Sequence, residues 1–148
     1  MKIFVASTGR CGTKFMAEVF GALTGFPSYH EAAPLCIGRT LEETNTRAEY
    51  SKETKEELTK KVEQVKSCSV NGDYFESSQM FIKSYSELML LAFKRISVIY
   101  IERNPIDVAL SYAEKCPAGE ADWHLRSHWS KNLLQTIGRG TCRETGGP

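Results

Sequence analysis

Ile3-Phe4-Val5-Ala6-Ser7-Thr8-Gly9-Arg10-Cys11-Gly12-Thr13-Lys14-Phe15-Met16 decides how the rest of the chain is read. The apolar run at 3–6 stops at Ser-Thr-Gly, the pattern of a short buried strand that ends in a turn. From Thr13 the period changes. Phe15, Met16, Val19, Phe20 and Leu23 recur at helical spacing until Gly25 and Pro27 close the segment. Between strand and helix, two glycines let the backbone turn tightly and aim successive amide N–H groups at one point. The helix mouth adds unpaired N–H groups and the positive end of its dipole. Gly9, Arg10, Cys11, Gly12, Thr13 and Lys14 therefore form a candidate anion site, with two full charges from Arg10 and Lys14 and a hydroxyl from Thr13.

The loop is not a Walker A sequence. That motif puts four residues between its glycines and then Gly-Lys-Ser/Thr. Here two residues separate Gly9 from Gly12, the order is Gly-Thr-Lys, and Phe15 stands where a magnesium-holding hydroxyl belongs. The loop suits a phosphate or phosphosulfate held without a metal, and no metal is expected.

Outward from the loop, residues 27–34 (PSYHEAAP) read as a second strand edge running into a loop, and residues 41–66 as a mostly solvated helix or helical pair. Leu58, Val62 and Val65 give that pair a narrow apolar stripe. Residues 69–76 are a candidate third strand, and 80–93 a helix with Leu88, Leu91 and Ala92 facing inward. Residues 96–101 (ISVIYI) make the strongest strand, predicted to lie centrally with both faces covered. A helix to about Glu114 follows, with Asn104 as its cap and Pro105 in its first position. Strand and helix alternate, so the prediction is one α/β domain over 1–148. It has three layers, a mainly parallel sheet flanked by helices, and resembles the P-loop nucleotide hydrolases. Ligands of such sheets sit beyond the carboxyl ends of the strands.

Nineteen Lys and Arg face eighteen Asp and Glu, so no global field points to nucleic acid or to an anionic membrane. The apolar runs are too short to span a bilayer, and the run at the start breaks too soon for a secretory signal. Five cysteines, an odd number without a CxxC pair, argue against a disulfide framework and a zinc site, and favour a reducing, cytoplasmic setting.

A second constellation follows the strongest strand: Tyr100-Ile101-Glu102-Arg103-Asn104-Pro105-Ile106-Asp107-Val108-Ala109-Leu110-Ser111-Tyr112. The planar fork of Arg103 suits a phosphate, and Ser111 lies in the second turn of the helix beyond it. On residues alone, pairing of Arg103 with Asp107 is nearly as good a reading.

RNPxDxxxSY after a strand resembles the 3′-phosphate motif of sulfotransferases that use 3′-phosphoadenosine-5′-phosphosulfate (PAPS). STGRCGTKF is similar to their 5′-phosphosulfate loop, and YFESS to their third-strand region. The resemblance covers roughly residues 3–115. It implies transfer of a sulfuryl group from PAPS, leaving 3′,5′-ADP (PAP), to a hydroxyl or amine of a small-molecule or glycan acceptor. Arg10, Gly12, Thr13 and Lys14 would hold the phosphosulfate, Arg103 and Ser111 the 3′-phosphate. Arg10 stands where the family stabilises the bridging oxygen. Cys11 replaces a usual Ser or Thr, and Lys14 stands where many members have a hydroxyl.

An acceptor needs a base within hydrogen-bond reach. His30-Glu31 follows the second strand edge, where several similar families place a catalytic Glu. Glu31 is the favoured base, His30 the alternate and Glu76 the third candidate. In WHLRSHW, Trp123, His124, His128 and Trp129 share one helix face, more suited to packing than to a metal. Gly138-Arg139-Gly140 faintly echoes a late family loop, and 138–148 reads as a flexible tail. The rivals are a P-loop nucleotide or small-molecule kinase, which lacks its Lys-Ser/Thr pair here, and a degenerate module that binds PAP or PAPS without turnover.

Overall fold

The computed structural model describes residues 1–46 and 49–115; the WHLRSHW cluster, Gly138-Arg139-Gly140 and the 138–148 tail lie outside them. In chain order the elements are β1 (Lys2–Ala6), α1 (Thr13–Thr24), β2 (Ser28–His30), α2 (Arg39–Thr46), α3 (Lys52–Ser67) and β3 (Tyr74–Ser77). A π-helical turn (Phe81–Tyr85), α4 (Ser86–Ala92), β4 (Ile96–Tyr100) and α5 (Pro105–Lys115) follow. The four strands form one sheet in the order β2-β3-β1-β4, and every neighbouring pair is parallel. The α/β expectation is met.

Alternation along β1 builds the layers. Ile3 and Val5 point to one face, where Ala17 and Phe20 of α1 meet Phe75, Ile99 and Ile101. Phe20 stacks on Phe75 with ring centroids 4.1 Å apart. Phe4 and Ala6 point to the other face, into a cluster with Leu41, Leu58, Val65, Phe81 and Met89. Among the described residues, no helix is long and apolar enough to cross a membrane.

Three sequence expectations shift. The third strand starts at Tyr74, because Val70 and Asp73 exchange backbone hydrogen bonds (3.0 and 2.8 Å) around Asn71 and Gly72. Both central residues have positive φ, the geometry that an Asn-Gly turn favours. In α4 the buried residue is Met89, while Leu91 is 86% exposed. The π-helical turn just before it spends an extra residue on one turn and rotates the apolar stripe, which plain helical spacing does not anticipate. Finally, β4 stands at the end of the described strand order, with Val98 and Tyr100 exposed rather than central. Its composition predicted two covered faces, but position in a sheet is set by pairing.

Residues 41–66 do form a helical pair, with one departure from a solvated surface. Lys61 is fully buried, its Nζ 2.7 Å from Oε1 of Glu76 and 2.7 Å from the carbonyl of Ala32. Glu76 also accepts from the hydroxyls of Tyr74 (2.6 Å) and Tyr85 (3.1 Å). Burial, followed by the Glu76 charge, pushes the pKa of both phenols upward, so they stay donors. Removing one partner of a buried ion pair strands the other charge. Lys61→Met is therefore expected to destabilise the fold by about 3–5 kcal/mol, and Lys61→Met/Glu76→Met to recover part of that loss. Urea denaturation checks both, and a single variant within about 1 kcal/mol of wild type would contradict the account.

Candidate active site

All four strands end at one edge of the sheet, and the register there determines which loops meet. Ala6 is paired with Tyr100, and the Ile101 N–H donates to the Ala6 carbonyl at 3.0 Å. The glycine loop after β1 and the Arg103 segment after β4 therefore leave the sheet side by side. Arg103 Nη1 donates to the Arg10 carbonyl at 2.9 Å. The Arg10 guanidinium reaches Ser111 Oγ, from Nε at 3.2 Å and from Nη2 at 3.0 Å. Asn104 caps α5 as expected, its Oδ1 accepting from the Ile106 N–H at 2.9 Å.

The glycine loop is shaped as a cradle. Gly9 (φ +94°) and Gly12 (φ +78°) adopt left-handed backbone, and so does Arg10 (φ +54°), where a side chain is disfavoured. A Cβ on Gly9 would collide with Gln79 Oε1 and sit 2.7 Å from the Tyr112 hydroxyl, so this position requires glycine. No side chain caps the first turn of α1, which leaves its leading N–H groups for an anion. The hydroxyl of Ser7, at the root of the loop, is buried without a hydrogen-bond partner, as is that of Ser77 at the end of β3. A buried hydroxyl left unpaired costs about 1–3 kcal/mol.

Thr13 is buried at the helix start, whereas Lys14 is exposed and 4.0 Å from Glu18. Cys11 is half-buried, and its Sγ donates to the Gly9 carbonyl at 3.1 Å. The thiol thus serves the loop's own turn.

The candidate bases separate clearly. His30 Nδ1 lies 2.9 Å from the Ser77 carbonyl; a carbonyl only accepts, so Nδ1 carries the proton and Nε2 is the acceptor. Glu31 follows at the same edge, in left-handed backbone (φ +49°), with its N–H donating to the Ser77 carbonyl at 3.2 Å. Glu76 is corrected: with Lys61 and two tyrosines around it and 1% exposure, it is a core residue out of acceptor reach.

Sequence reasoning missed three side chains here. Gln79 and Tyr112 close over Gly9, and Arg10 lies over the Tyr112 ring at 6.0 Å. Tyr112 stands inside the quoted RNPxDxxxSY stretch, which was the available signal. Lys83 carried none. It is in the π-helical turn, with Nζ 2.8 Å from Gln79 Oε1 and 3.5 Å from the Thr8 carbonyl. Burial pulls the Lys83 ammonium down to about 8, against an opposing pull from the Glu31 carboxylate.

A family model described as the sulfotransferase domain matches residues 1–121. No curated protein and no solved structure gives a significant match.

The thiols offer a direct check on this geometry. Cys36 is fully enclosed, and burial with the nearby Glu57 charge pushes its thiol up to about 12, so little reactive thiolate forms. Iodoacetamide followed by peptide mass mapping is expected to label Cys11 and spare Cys36. Equal labelling of the two in the folded protein would contradict the packing around Cys36.

Proposed function

Because the chain belongs to the sulfotransferase domain family, we propose that it moves the sulfuryl group of PAPS to a hydroxyl or amine of a small-molecule or glycan acceptor. The observation that carries this reading is the meeting of the two motifs. Arg103 is hydrogen-bonded to Arg10, and Arg10 to Ser111, so both anion-binding segments open on one site. A donor with phosphate at each end of its ribose needs such a pair of neighbouring cradles.

Arg103 and Ser111 are assigned the 3′-phosphate. The amides of Gly9, Cys11 and Gly12, with Thr13 and Lys14, are assigned the 5′-phosphosulfate. Arg10 stands between the two. Its contact with Ser111 lets one guanidinium serve either anion, and stabilising charge on the leaving oxygen is the role proposed for it. Glu31 is the proposed base, with Nε2 of His30 as the alternate. A reducing, cytoplasmic setting is part of the same proposal, motivated by five cysteines, an odd number without a CxxC pair.

Calorimetry tests the donor. PAP is expected to bind without a divalent metal and more tightly than 5′-AMP. Arg103→Ala should cost roughly 1.5–3 kcal/mol of PAP affinity and Ser111→Ala roughly 0.5–1.5 kcal/mol, with 5′-AMP little affected. An absolute need for magnesium, or equal affinity for the two nucleotides, would favour a kinase and sink the PAPS reading.

Turnover tests the base, using whichever member of a phenol and aminosugar panel the wild type sulfates from PAPS. Glu31→Gln should lower that rate by roughly 10²–10⁴-fold while PAP affinity holds. Tight PAP binding without sulfation of any acceptor would instead mark a binding module.

A further inference from the structure

Lys83 belongs to neither motif, yet its position is defined from three sides. The Thr8 carbonyl, at the entry to the glycine loop, lies 3.5 Å from its Nζ, and Gln79 Oε1 lies 2.8 Å away. Gln79 in turn packs over Gly9, the tightest point of the cradle. The Glu31 carboxylate also acts on the ammonium through space. The lysine therefore stands beside the loop assigned to the phosphosulfate and within electrostatic range of the group assigned to the acceptor. We propose that Lys83 is a further catalytic residue, an ammonium that binds the oxygens of the sulfuryl group itself rather than either phosphate.

The proposal rests on the donor reading above and deepens it. In the transfer, the acceptor oxygen or nitrogen bonds to sulfur as the bond from sulfur to the phosphate oxygen breaks, and its electron pair leaves on that oxygen. The acceptor's proton passes to Glu31, and Lys83 stays protonated throughout. Charge spreads over the equatorial oxygens of such a transition state, where a fixed, partly desolvated cation is most effective. Among the described residues of the two anion-binding segments, the other cations are turned to other partners. Lys14 points outward beside Glu18, and Arg10 engages Ser111.

The surroundings of Lys83 explain its sensitivity to pH. Its neighbours along the adjoining cleft are Thr44 and Asn45 of α2, Leu58 of α3 and Glu87 of α4, so among the described residues Glu87 lines the same cleft and Glu31 acts on the ammonium through space. With burial holding its ammonium near 8, the lysine loses its proton as pH rises from 7 to 9 unless an anion is bound beside it.

Comparing PAPS with PAP isolates the sulfuryl group and needs no acceptor. By calorimetry at pH 7, Lys83→Met is expected to weaken PAPS about 10- to 100-fold and PAP less than about twofold. Lys83→Arg should keep most of the PAPS affinity. Raising the pH to 9 should weaken PAPS selectively in wild type and spare Lys83→Arg. Equal loss of both ligands in a variant that melts like wild type would make Lys83 a scaffold residue and overturn the proposal, as would unchanged PAPS affinity. If Lys83→Met fails to fold, the Lys83→Arg and pH 9 comparisons decide the matter by the same criterion. Wild type that binds neither nucleotide would overturn the donor reading and this proposal together, a result distinct from PAP and PAPS binding that ignores Lys83.

Discussion

The Lys61–Glu76 pair is the constraint on which the most other parts depend. It joins α3 to β3 inside the larger core cluster, and through the Ala32 carbonyl it also fixes the course of the chain just beyond Glu31. A buried ion pair is a poor source of net stability, because desolvating two charges offsets most of their attraction. Its worth lies in what it forbids. With Tyr74 and Tyr85 completing the carboxylate's shell, any slip of α3 along the sheet would leave a charge or a hydroxyl unpaired. The helical layer is therefore held in one register, and so is the loop that carries the proposed base.

Strand pairing supplies the second constraint. A parallel sheet brings all its carboxyl ends to one edge, and the order β2-β3-β1-β4 makes β1 the neighbour of both β3 and β4. The glycine loop after β1 thus lies between the ends of β3 and β4, in reach of groups from both sides. Arg103 and Ser111 approach from the β4 side, and Gln79 and Lys83 from the β3 side. Arg10 and Glu31, the two side chains assigned to chemistry, both sit on left-handed backbone. Such backbone is uncommon away from glycine, and it is retained where surrounding contacts over-determine the chain.

The same logic explains where spacing misled. Leu88, Leu91 and Ala92 fit a continuous helix, but five residues of π-helix precede them; Leu88 does pack against the core, with Met89 fully inward and Leu91 and Ala92 exposed. Glu76 reads as the third candidate base at the end of a strand, and Lys61 as part of a solvated helix. Nothing local distinguishes a lysine that faces water from one that meets a carboxylate fifteen positions away in the core. Lys83 follows the same rule, since Thr8, Gln79 and Glu31 come near it only in the folded chain.

By itself the sequence determined the alternation of strands and helices, the glycine-turned, basic character of residues 9–14, and the family shared by residues 1–121. These are properties of short segments, in which glycine torsions, apolar periodicity and a capping Asn104 act within a few residues. The tertiary structure alone decided that Arg10 meets Ser111, that Glu76 is a core partner rather than a base, and that Lys83 faces the glycine loop. Each of those facts depends on strand order and helix register, which are settled by packing and pairing across the whole sheet and by no local pattern.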